Sequence, residues 1–149
     1  MMLFFAGCGL APKATRPIRE PVLCNLVGSC VAAGFPSPAD DYMERPLDLN
    51  EHLVQRPEST YFVRVTGDSM IEAGIHDGDL LVVDRSRTPV AGDVVIACVD
   101  GEFLVKRLAR SAEGQVVLLP ENSGYAPLAV PPEADFSLWG VAVHVIHSL

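Results

Sequence analysis

Two side chains in this sequence have the types and settings that nucleophilic catalysis needs. Ser69 lies in TGDSMI, and a serine in a glycine-containing turn of this kind can be an active nucleophile. Lys106 lies in EFLVKRL, where strand alternation puts the lysine on one face with the leucines two positions away on either side. Burying an ammonium on an apolar face lowers its pKa, so that a neutral amine can accept the proton of a serine hydroxyl.

Both residues also have an ordinary structural interpretation. A serine beside glycine is typical of turns, and a lysine in a hairpin strand is usually an edge charge that discourages aggregation. The sequence holds only two lysines, Lys13 and Lys106, which limits the choice of a lysine base. The residues alone leave open whether Ser69 and Lys106 form a catalytic pair.

The four histidines, His52, His76, His144 and His147, predict no metal site. His144 and His147 stand three positions apart in the last predicted strand, hence on opposite faces, which is poor geometry for a shared metal. His76 lies in the turn GIHDGD, where we expect it to be solvated. A Ser-His-Asp triad stays open, although nothing in the sequence favours one. We predict no metal and no cofactor.

The segment around Ser69 is also rich in carboxylates, which raises the alternative of a hard-cation site. These residues are Asp68, Glu72, Asp77, Asp79 and Asp84. Calcium loops place ligands at alternate positions within about twelve residues, and this spacing does not match that pattern. We therefore interpret the five carboxylates as turn-forming residues and surface charge.

The composition indicates a β-rich protein that does not bind DNA by itself. With 149 residues, 49% of them hydrophobic, the chain is long enough to form a core, while twelve prolines and twelve glycines favour many turns. The formal net charge of -8 disfavours direct DNA binding, because nonspecific affinity comes from neutralising phosphates with Lys and Arg. Any link to nucleic acid should run through a protein partner.

The cysteines and the apolar runs predict a cytoplasmic protein without membrane contact. Cys8, Cys24, Cys30 and Cys98 form no C-x-x-C pair and have no histidine close in sequence, so we expect free thiols in a reducing compartment. The start MMLFFAGCGLA has no basic region, and its apolar run is too short for a signal peptide. No apolar run approaches transmembrane length.

The chain divides into two regions that differ in composition and in residue pattern. Residues 1–45 carry several prolines and no regular pattern, which predicts a flexible N-terminal arm with one apolar island, PVLCNLVGSCVAAGF. The next segment predicts a brief helix, with Asp48 or Asn50 near its N-cap and Pro57 stopping it. We therefore expect a β-rich domain over residues 46–149.

Short β-branched runs separated by turn signals predict six strands with mainly antiparallel pairing. The six runs are TYFVRV, GDLLVVD, GDVVIACVDG, EFLVKRLAR, GQVVLLPENS and LWGVAVHVIHSL. Gly92 and Asp93 predict one turn, and Asp100 with Gly101 predicts a tight hairpin. The two ends of that hairpin join VVIACV to the strand that contains Lys106.

Longer stretches resemble the UmuD/LexA family of self-cleaving Ser-Lys peptidases. The matching stretches are YFVRVTGDSMIEAGIHDGDLLVVD, GDVVIACVDGEFLVKRL, LLPENSGYAPL, GVAVHVI and, in the arm, GFPSPADDYMERPLDLNEHLVQ. The similarity extends from about Leu26 to the C-terminus. It implies a compact antiparallel β domain of the LexA/UmuD type with an extended N-terminal arm.

The resemblance also implies an activity, serine endopeptidase action of the chain on itself. Ser69 falls on the family's nucleophile, in its GDSM motif, and Lys106 on the general base. The family's cleavage site falls on the bond between Ala33 and Gly34, two small residues that suit a tight bend beside a nucleophile. The backbone amides of Asp68 and Ser69 are the expected oxyanion hole. Two apolar residues, Val31 and Phe35, lie close to Ala33 and Gly34 in the arm. We expect them to anchor the arm in grooves of the catalytic cleft.

The partners implied by the resemblance belong to the SOS response to DNA damage. They are a second copy of the chain, a RecA filament on single-stranded DNA that promotes cleavage, and a UmuC-like Y-family polymerase that the processed form serves in translesion synthesis. A repressor role is disfavoured because no helix-turn-helix precedes the peptidase segment. Two alternatives stay open: a non-cleaving dimeric polymerase-binding module with an inactive dyad, and a signal-peptidase-like enzyme, which normally needs a membrane anchor.

Overall fold

A computed structural model describes residues 21–27, 33–34 and 45–149 of the chain. The described residues up to Gln55 form one compact unit, and Arg56–Leu149 form another. Among the described residues, no helix is long and apolar enough to cross a membrane.

The first unit contains a small two-stranded sheet and one short helix. Strand β1 (Leu23–Cys24) pairs antiparallel with β2 (Leu47–Asp48), and α1 (Leu49–Leu53) follows directly. The side chain of Asp48 caps α1 by accepting a 2.9 Å hydrogen bond from the backbone amide of Asn50. The predicted brief helix and its N-cap are therefore confirmed.

The second unit is a seven-stranded sheet in which neighbouring strands are antiparallel, in the order β3-β4-β9-β5-β6-β7-β8. Its strands are β3 (Thr60–Arg64), β4 (Leu80–Asp84), β5 (Val94–Val99), β6 (Glu102–Arg110), β7 (Val116–Leu119), β8 (Leu128–Ala129) and β9 (Phe136–Ile146). Each of the six predicted runs contains a strand, and β8 is an additional one. The predicted mainly β fold of the LexA/UmuD type is confirmed.

The turns that join the strands use the residues expected of them. Asp100 and Gly101 both have positive φ, 49° and 83°, which is the type I′ geometry that joins β5 to β6 in a tight hairpin. At the predicted turn before β5, the amide of Asp93 donates a 3.1 Å hydrogen bond to the carbonyl of Val90. Both predicted turns are confirmed.

Strand β9 connects the two halves of the sheet. Its first part pairs with β5 and its last part with β4, with a register shift in each pairing. At Gly140 the neighbouring strand approaches so closely that an added Cβ would lie 2.6 Å from Val83 Cγ1. Glycine is therefore required at this crossing for a steric reason.

The core consists of two apolar clusters that lie against the two faces of the β5–β6 hairpin. The first cluster contains Val63, Val65, Met70, Ile75, Leu81, Val83, Ile96 and Val105, and the second contains Val95, Ala97, Leu108, Leu118, Val130 and Val141. Consecutive residues of β5 thus enter different clusters, as the alternation of side chains in a strand requires. A strand buried on both faces has a continuous apolar run, which explains the segment VVIACV.

Two of the five carboxylates predicted to be surface charge are buried, so that prediction was wrong for Asp79 and Asp84. Their exposed fractions are 4% and 8%. Asp84 is surrounded by donors: the amide and hydroxyl of Ser86, the hydroxyl of Ser59 and the guanidinium of Arg56. A buried carboxylate is tolerated only when it is hydrogen-bonded or paired, and sequence spacing does not reveal such partners.

Both described cysteines, Cys24 and Cys98, are free thiols, as predicted for them. Cys24 is exposed in β1, whereas Cys98 is partly buried in β5, in agreement with its expected role as a small apolar side chain. Cys8 and Cys30 lie outside the described residues.

Candidate active site

The structure brings the predicted nucleophile and base into direct contact. Lys106 Nζ lies 2.6 Å from Ser69 Oγ, although the two residues are 37 positions apart in sequence. Ser69 is fully buried and Lys106 is 7% exposed. A buried hydroxyl paired with a buried amine is the contact that a Ser-Lys mechanism requires in its first step.

Strand β6 presents Lys106 on an apolar face. Lys106 lies opposite Val95 in the β5–β6 register, and Leu104 lies opposite Ala97, so these four side chains share a face. Burial among them disfavours the charged ammonium and lowers the pKa of Lys106 below its ordinary value of 10.5. The predicted orientation of the lysine is confirmed, and its environment favours a neutral amine.

A hydrogen-bonded loop between β3 and a 3₁₀ helix (Ile71–Ala73) carries Ser69. Before the serine, Gly67 has a φ of 87°, and its amide donates a 2.7 Å hydrogen bond to Asp77 Oδ1. After the serine, the amide of Ile71 donates to the carbonyl of Asp68 at 3.2 Å. The positive φ explains why glycine stands two positions before the serine.

Sequence reasoning missed a second segment, residues 121–125, that holds this loop from the other side. The amide of Glu121 donates to the carbonyl of Ser69 at 2.8 Å, and Asn122 Nδ2 donates to the carbonyl of Asp68 at 3.0 Å. The Tyr125 hydroxyl donates to Asp68 Oδ1 at 2.5 Å. The sequence signals here were the turn-rich stretch ENSGY and the resemblance of LLPENSGYAPL to the family, and neither shows that this segment contacts Ser69.

The aromatic ring of Tyr125 also lies near the lysine. Lys106 Nζ is 5.6 Å from the centroid of this ring, within the range of a cation–π contact when the amine is charged. The hydrogen bond to Asp68 raises the pKa of the Tyr125 phenol. The hydrogen bond therefore favours the protonated phenol and orients Tyr125 toward Asp68 beside the Ser-Lys pair.

The amides predicted as an oxyanion hole belong to Asp68 and Ser69. Within the described part of the chain, neither amide donates a backbone hydrogen bond. The carbonyls of the same two residues are held by the segment 121–125, which fixes the orientation of the peptide groups around them. These amides can act as donors to a developing oxyanion, and this role stays a prediction.

The predicted cleavage site lies in the first unit. Ala33 and Gly34 are described as exposed residues in a bend. The predicted anchors on either side, Val31 and Phe35, lie outside the described residues, as does most of the predicted arm. The cleavage site therefore stays a prediction.

The histidines are placed differently from what their spacing suggested. His76 was expected to be solvated, but its ring packs against that of His147, with centroids 4.8 Å apart, and its Nδ1 is buried. His147 Nδ1 lies 2.6 Å from the buried carboxylate of Asp79. The side chain of His76 is 42% exposed, in partial agreement with the solvated position expected for it. Its contact with His147 was not foreseen, because β9 ends beside the turn that contains His76, a long-range pairing that local sequence does not reveal. His52 and His144 are exposed.

Comparison with known proteins shows the family to which the chain belongs. The family described as Peptidase S24-like matches residues 25–143. The chain belongs to the peptidase S24 family. Protein SamA of Salmonella typhimurium is 48% identical to this S24 protein over 133 residues, which cover 88% of this chain and 91% of SamA. Protein ImpA of Escherichia coli is 47% identical over 121 residues, covering 77% of each chain.

A LexA relative also matches this S24 family member. LexA repressor 1 of Xanthomonas oryzae is 45% identical over 140 residues, which cover 89% of this chain and 68% of the repressor. The resemblance to the UmuD/LexA family and membership of a serine peptidase family are therefore confirmed. The catalytic roles of Ser69 and Lys106 stay predictions. The structure contributes the distance between the two side chains.

Proposed function

We propose that this protein is a self-cleaving serine endopeptidase in which Ser69 attacks the peptide bond between Ala33 and Gly34 and Lys106 is the general base. The observation that carries the proposal is the 2.6 Å approach of Lys106 Nζ to Ser69 Oγ in a buried setting. A buried lysine with a lowered pKa is the group that can deprotonate a serine without a histidine.

In the first step, neutral Lys106 takes the proton of the Ser69 hydroxyl while Oγ forms a bond to the carbonyl carbon of Ala33. The carbonyl electrons move to its oxygen, and the amides of Asp68 and Ser69 donate hydrogen bonds to that oxyanion. The intermediate then collapses, the carbon–nitrogen bond to Gly34 breaks, and the lysine ammonium gives its proton to the leaving amine.

In the second step, water hydrolyses the ester between Ser69 and Ala33. Lys106, neutral again, accepts a proton from the water as its oxygen bonds to the ester carbon. The ester bond to Oγ then breaks, and the lysine returns the proton to the serine. The products are residues 1–33 and residues 34–149, and the Ser-Lys pair is regenerated.

The wider role that we propose follows the UmuD-like resemblance. A RecA filament on single-stranded DNA stimulates the cut, and the shortened product acts as a homodimeric accessory subunit of a UmuC-like Y-family polymerase in translesion synthesis. The S24 family match and the SamA and ImpA relatives support this role. The net charge of -8 supports recruitment to DNA through protein partners in the cytoplasm rather than by direct binding.

A second candidate is a non-cleaving dimeric polymerase-binding module with an inactive dyad. The burial of Ser69 favours it, because a fully buried hydroxyl reaches a peptide only if the site opens or the arm enters. The contact of Lys106 Nζ with Ser69 Oγ favours the enzyme, because burial lowers the pKa of this lysine and a neutral amine beside a hydroxyl can act as its base.

Mass spectrometry of the purified full chain after alkaline incubation separates the two candidates. We expect one cut, after Ala33, in the wild-type chain and no cut in Ser69→Ala or Lys106→Ala. Matched controls are Ser137→Ala, an exposed serine of β9, and Lys13→Ala, which changes the other lysine; both should cleave at the wild-type rate. Cleavage that persists in Ser69→Ala would contradict the mechanism, and an intact wild-type chain both at alkaline pH and with activated RecA would favour the binding module.

A further inference from the structure

Three side chains that can ligate a metal meet beside the sheet, apart from the Ser-Lys pair. The β4–β9 register pairs Leu80 with Ile146, so the next positions along the two strands bring Asp79 opposite His147. His147 Nδ1 lies 2.6 Å from Asp79 Oδ1. His76 approaches from the preceding turn, and its Nδ1 lies 3.7 Å from Asp79 Oδ2. The ligand atoms of the three residues all lie within 4.8 Å of one another.

The cluster contains a polar atom that the fold leaves without a partner. His76 Nδ1 is buried and has no hydrogen-bond partner among the described residues. A buried nitrogen without a hydrogen-bond partner lowers the stability of the folded state, and such atoms are rare in protein interiors. This nitrogen lies 3.7 Å from the Asp79 carboxylate. A ligand bound between the two residues would give it a partner.

The carboxylate in the cluster is prepared to carry a negative charge. Asp79 Oδ2 accepts a 2.8 Å hydrogen bond from the His76 amide, and Asp79 Oδ1 lies 2.6 Å from His147 Nδ1, so polar groups face both oxygens of this buried carboxylate. The site therefore offers one anionic oxygen and two imidazole nitrogens. This donor set suits a divalent transition metal better than Mg²⁺ or Ca²⁺, which prefer oxygen ligands.

We propose that His76, Asp79 and His147 bind one divalent transition-metal ion of the zinc type. Two histidines and one carboxylate are the protein ligands of open four-coordinate zinc sites, with water in the fourth position. The ion takes the place of the proton on His147 Nδ1, which leaves when the metal binds. This site is distinct from the Ser69–Lys106 pair and does not depend on the proposed peptidase activity.

To hold such an ion, the cluster must tighten at its widest separation and open at its closest one. Bonds of about 2.0–2.2 Å place the ligand atoms of a tetrahedral zinc ion about 3.4 Å apart. The largest separation in the cluster is 4.8 Å, and the closest pair must open from 2.6 Å. The side chains of both histidines are 42% exposed, so they can rotate without displacing the core, whereas Asp79 is buried and fixed.

A bound ion would cross-link the turn that contains His76 to the C-terminal end of β9. The turn containing His76 is tied to the end of β3 by two hydrogen bonds: the amide of Val65 donates to the carbonyl of Asp79, and the amide of Gly78 donates to the carbonyl of Val65, both at 2.9 Å. His147 brings in the C-terminal end of β9. Because the ion binds only when these parts are assembled, it stabilises the folded state.

Isothermal titration of the chelator-treated full chain with Zn²⁺, and with Co²⁺ as a coloured probe, tests the proposal. We expect one ion per chain, d–d absorption of four-coordinate Co²⁺, and a melting temperature that rises by several degrees with saturating Zn²⁺. His147→Gln and His76→Gln should each weaken Zn²⁺ binding by about 100-fold or more, since loss of an outer-shell partner alone costs about 10–100-fold.

The matched controls are the two exposed histidines outside the cluster and the described thiols. His52→Gln, His144→Gln and a Cys24→Ser/Cys98→Ser chain should bind Zn²⁺ with wild-type affinity. A metal-free melting temperature equal to that of the wild type shows that His76→Gln or His147→Gln is folded. If one of the two variants melts at a lower temperature, the Zn²⁺ affinity of the other variant tests the proposal. Wild-type affinity in a folded cluster variant, loss of binding in the cysteine variant, or no binding by the wild-type chain would overturn the proposal.

Discussion

The lowered pKa of Lys106 predicts a specific pH profile for self-cleavage in the absence of RecA. Only the neutral amine can take the proton of Ser69, so the rate should follow the neutral fraction of the lysine. Since burial lowers the pKa of Lys106, this fraction becomes large at a lower pH than it would for a lysine in water. The rate should therefore rise with pH and level off early.

The size of the effect follows from the titration of a single group. Below the pKa, each pH unit increases the neutral fraction about tenfold, which corresponds to about 1.4 kcal/mol of the barrier per unit. Above the pKa, further base adds nothing. With Lys106 only 7% exposed, we expect a slope of about one in log rate and a plateau that begins below pH 10.5.

The assay measures the initial rate at which the fragment 34–149 appears, from about pH 6 to about pH 10.5. Far-UV circular dichroism at each pH checks that the fold persists. Lys106→Arg is the matched control, because arginine keeps its charge throughout this range and should not cleave. A flat profile would refute lysine as the base. A slope that continues without a plateau to the ordinary lysine value of 10.5 would refute the lowered pKa.

Two further predictions concern stability. The hydrogen bond from Ser86 holds the pKa of Asp84 below its ordinary 3.8, so its contribution to folding is complete above that pH and is lost as the pH falls through the lowered value. Asp84→Asn should cost about 1–3 kcal/mol in urea unfolding at neutral pH and remove this acid-dependent loss. Gly140→Ala should lower the free energy of unfolding by about 1–3 kcal/mol, because its Cβ would overlap Val83.

Exposed positions provide the controls for both predictions. Glu133→Gln removes a surface carboxylate, and Ser137→Ala changes an exposed position in the same strand as Gly140; each should change stability by less than about 0.5 kcal/mol. An Asp84→Asn chain with the acid profile of the wild type would contradict a role for Asp84 in acid unfolding. A Gly140→Ala chain of unchanged stability would show that β9 shifts freely at this crossing.

The strands of the second unit could be predicted because their signals are local. Runs of β-branched residues, and turns such as Asp100-Gly101 with the positive φ values of a type I′ hairpin, act within a few residues. The helix at Asp48 was predictable for the same reason, since a capping side chain bonds to an amide two positions away. The short strand β8 was missed because two residues, Leu128–Ala129, are too few to show a period.

The candidate site was predictable only in part. Strand alternation placed Lys106 on an apolar face, and the family resemblance paired it with Ser69. The contact itself depends on tertiary structure, because β3 and β6 are separated in the sheet by β4, β9 and β5. The way in which the segment 121–125 holds Ser69 and Asp68 was not predicted, since its hydrogen bonds go to groups more than 50 positions away, among them the carbonyl and the carboxylate of Asp68.

The sequence by itself determined which residues of a strand share a face, because side chains alternate along a strand with a period of two. Only the tertiary structure decided which inward groups meet. The spacing of His144 and His147 argued against a metal, yet the pairing of β4 with β9 sets His147 against Asp79 and His76. Strand register is a long-range property, fixed by the packing of the whole sheet, so the chemistry of a site made by several strands emerges only in the fold.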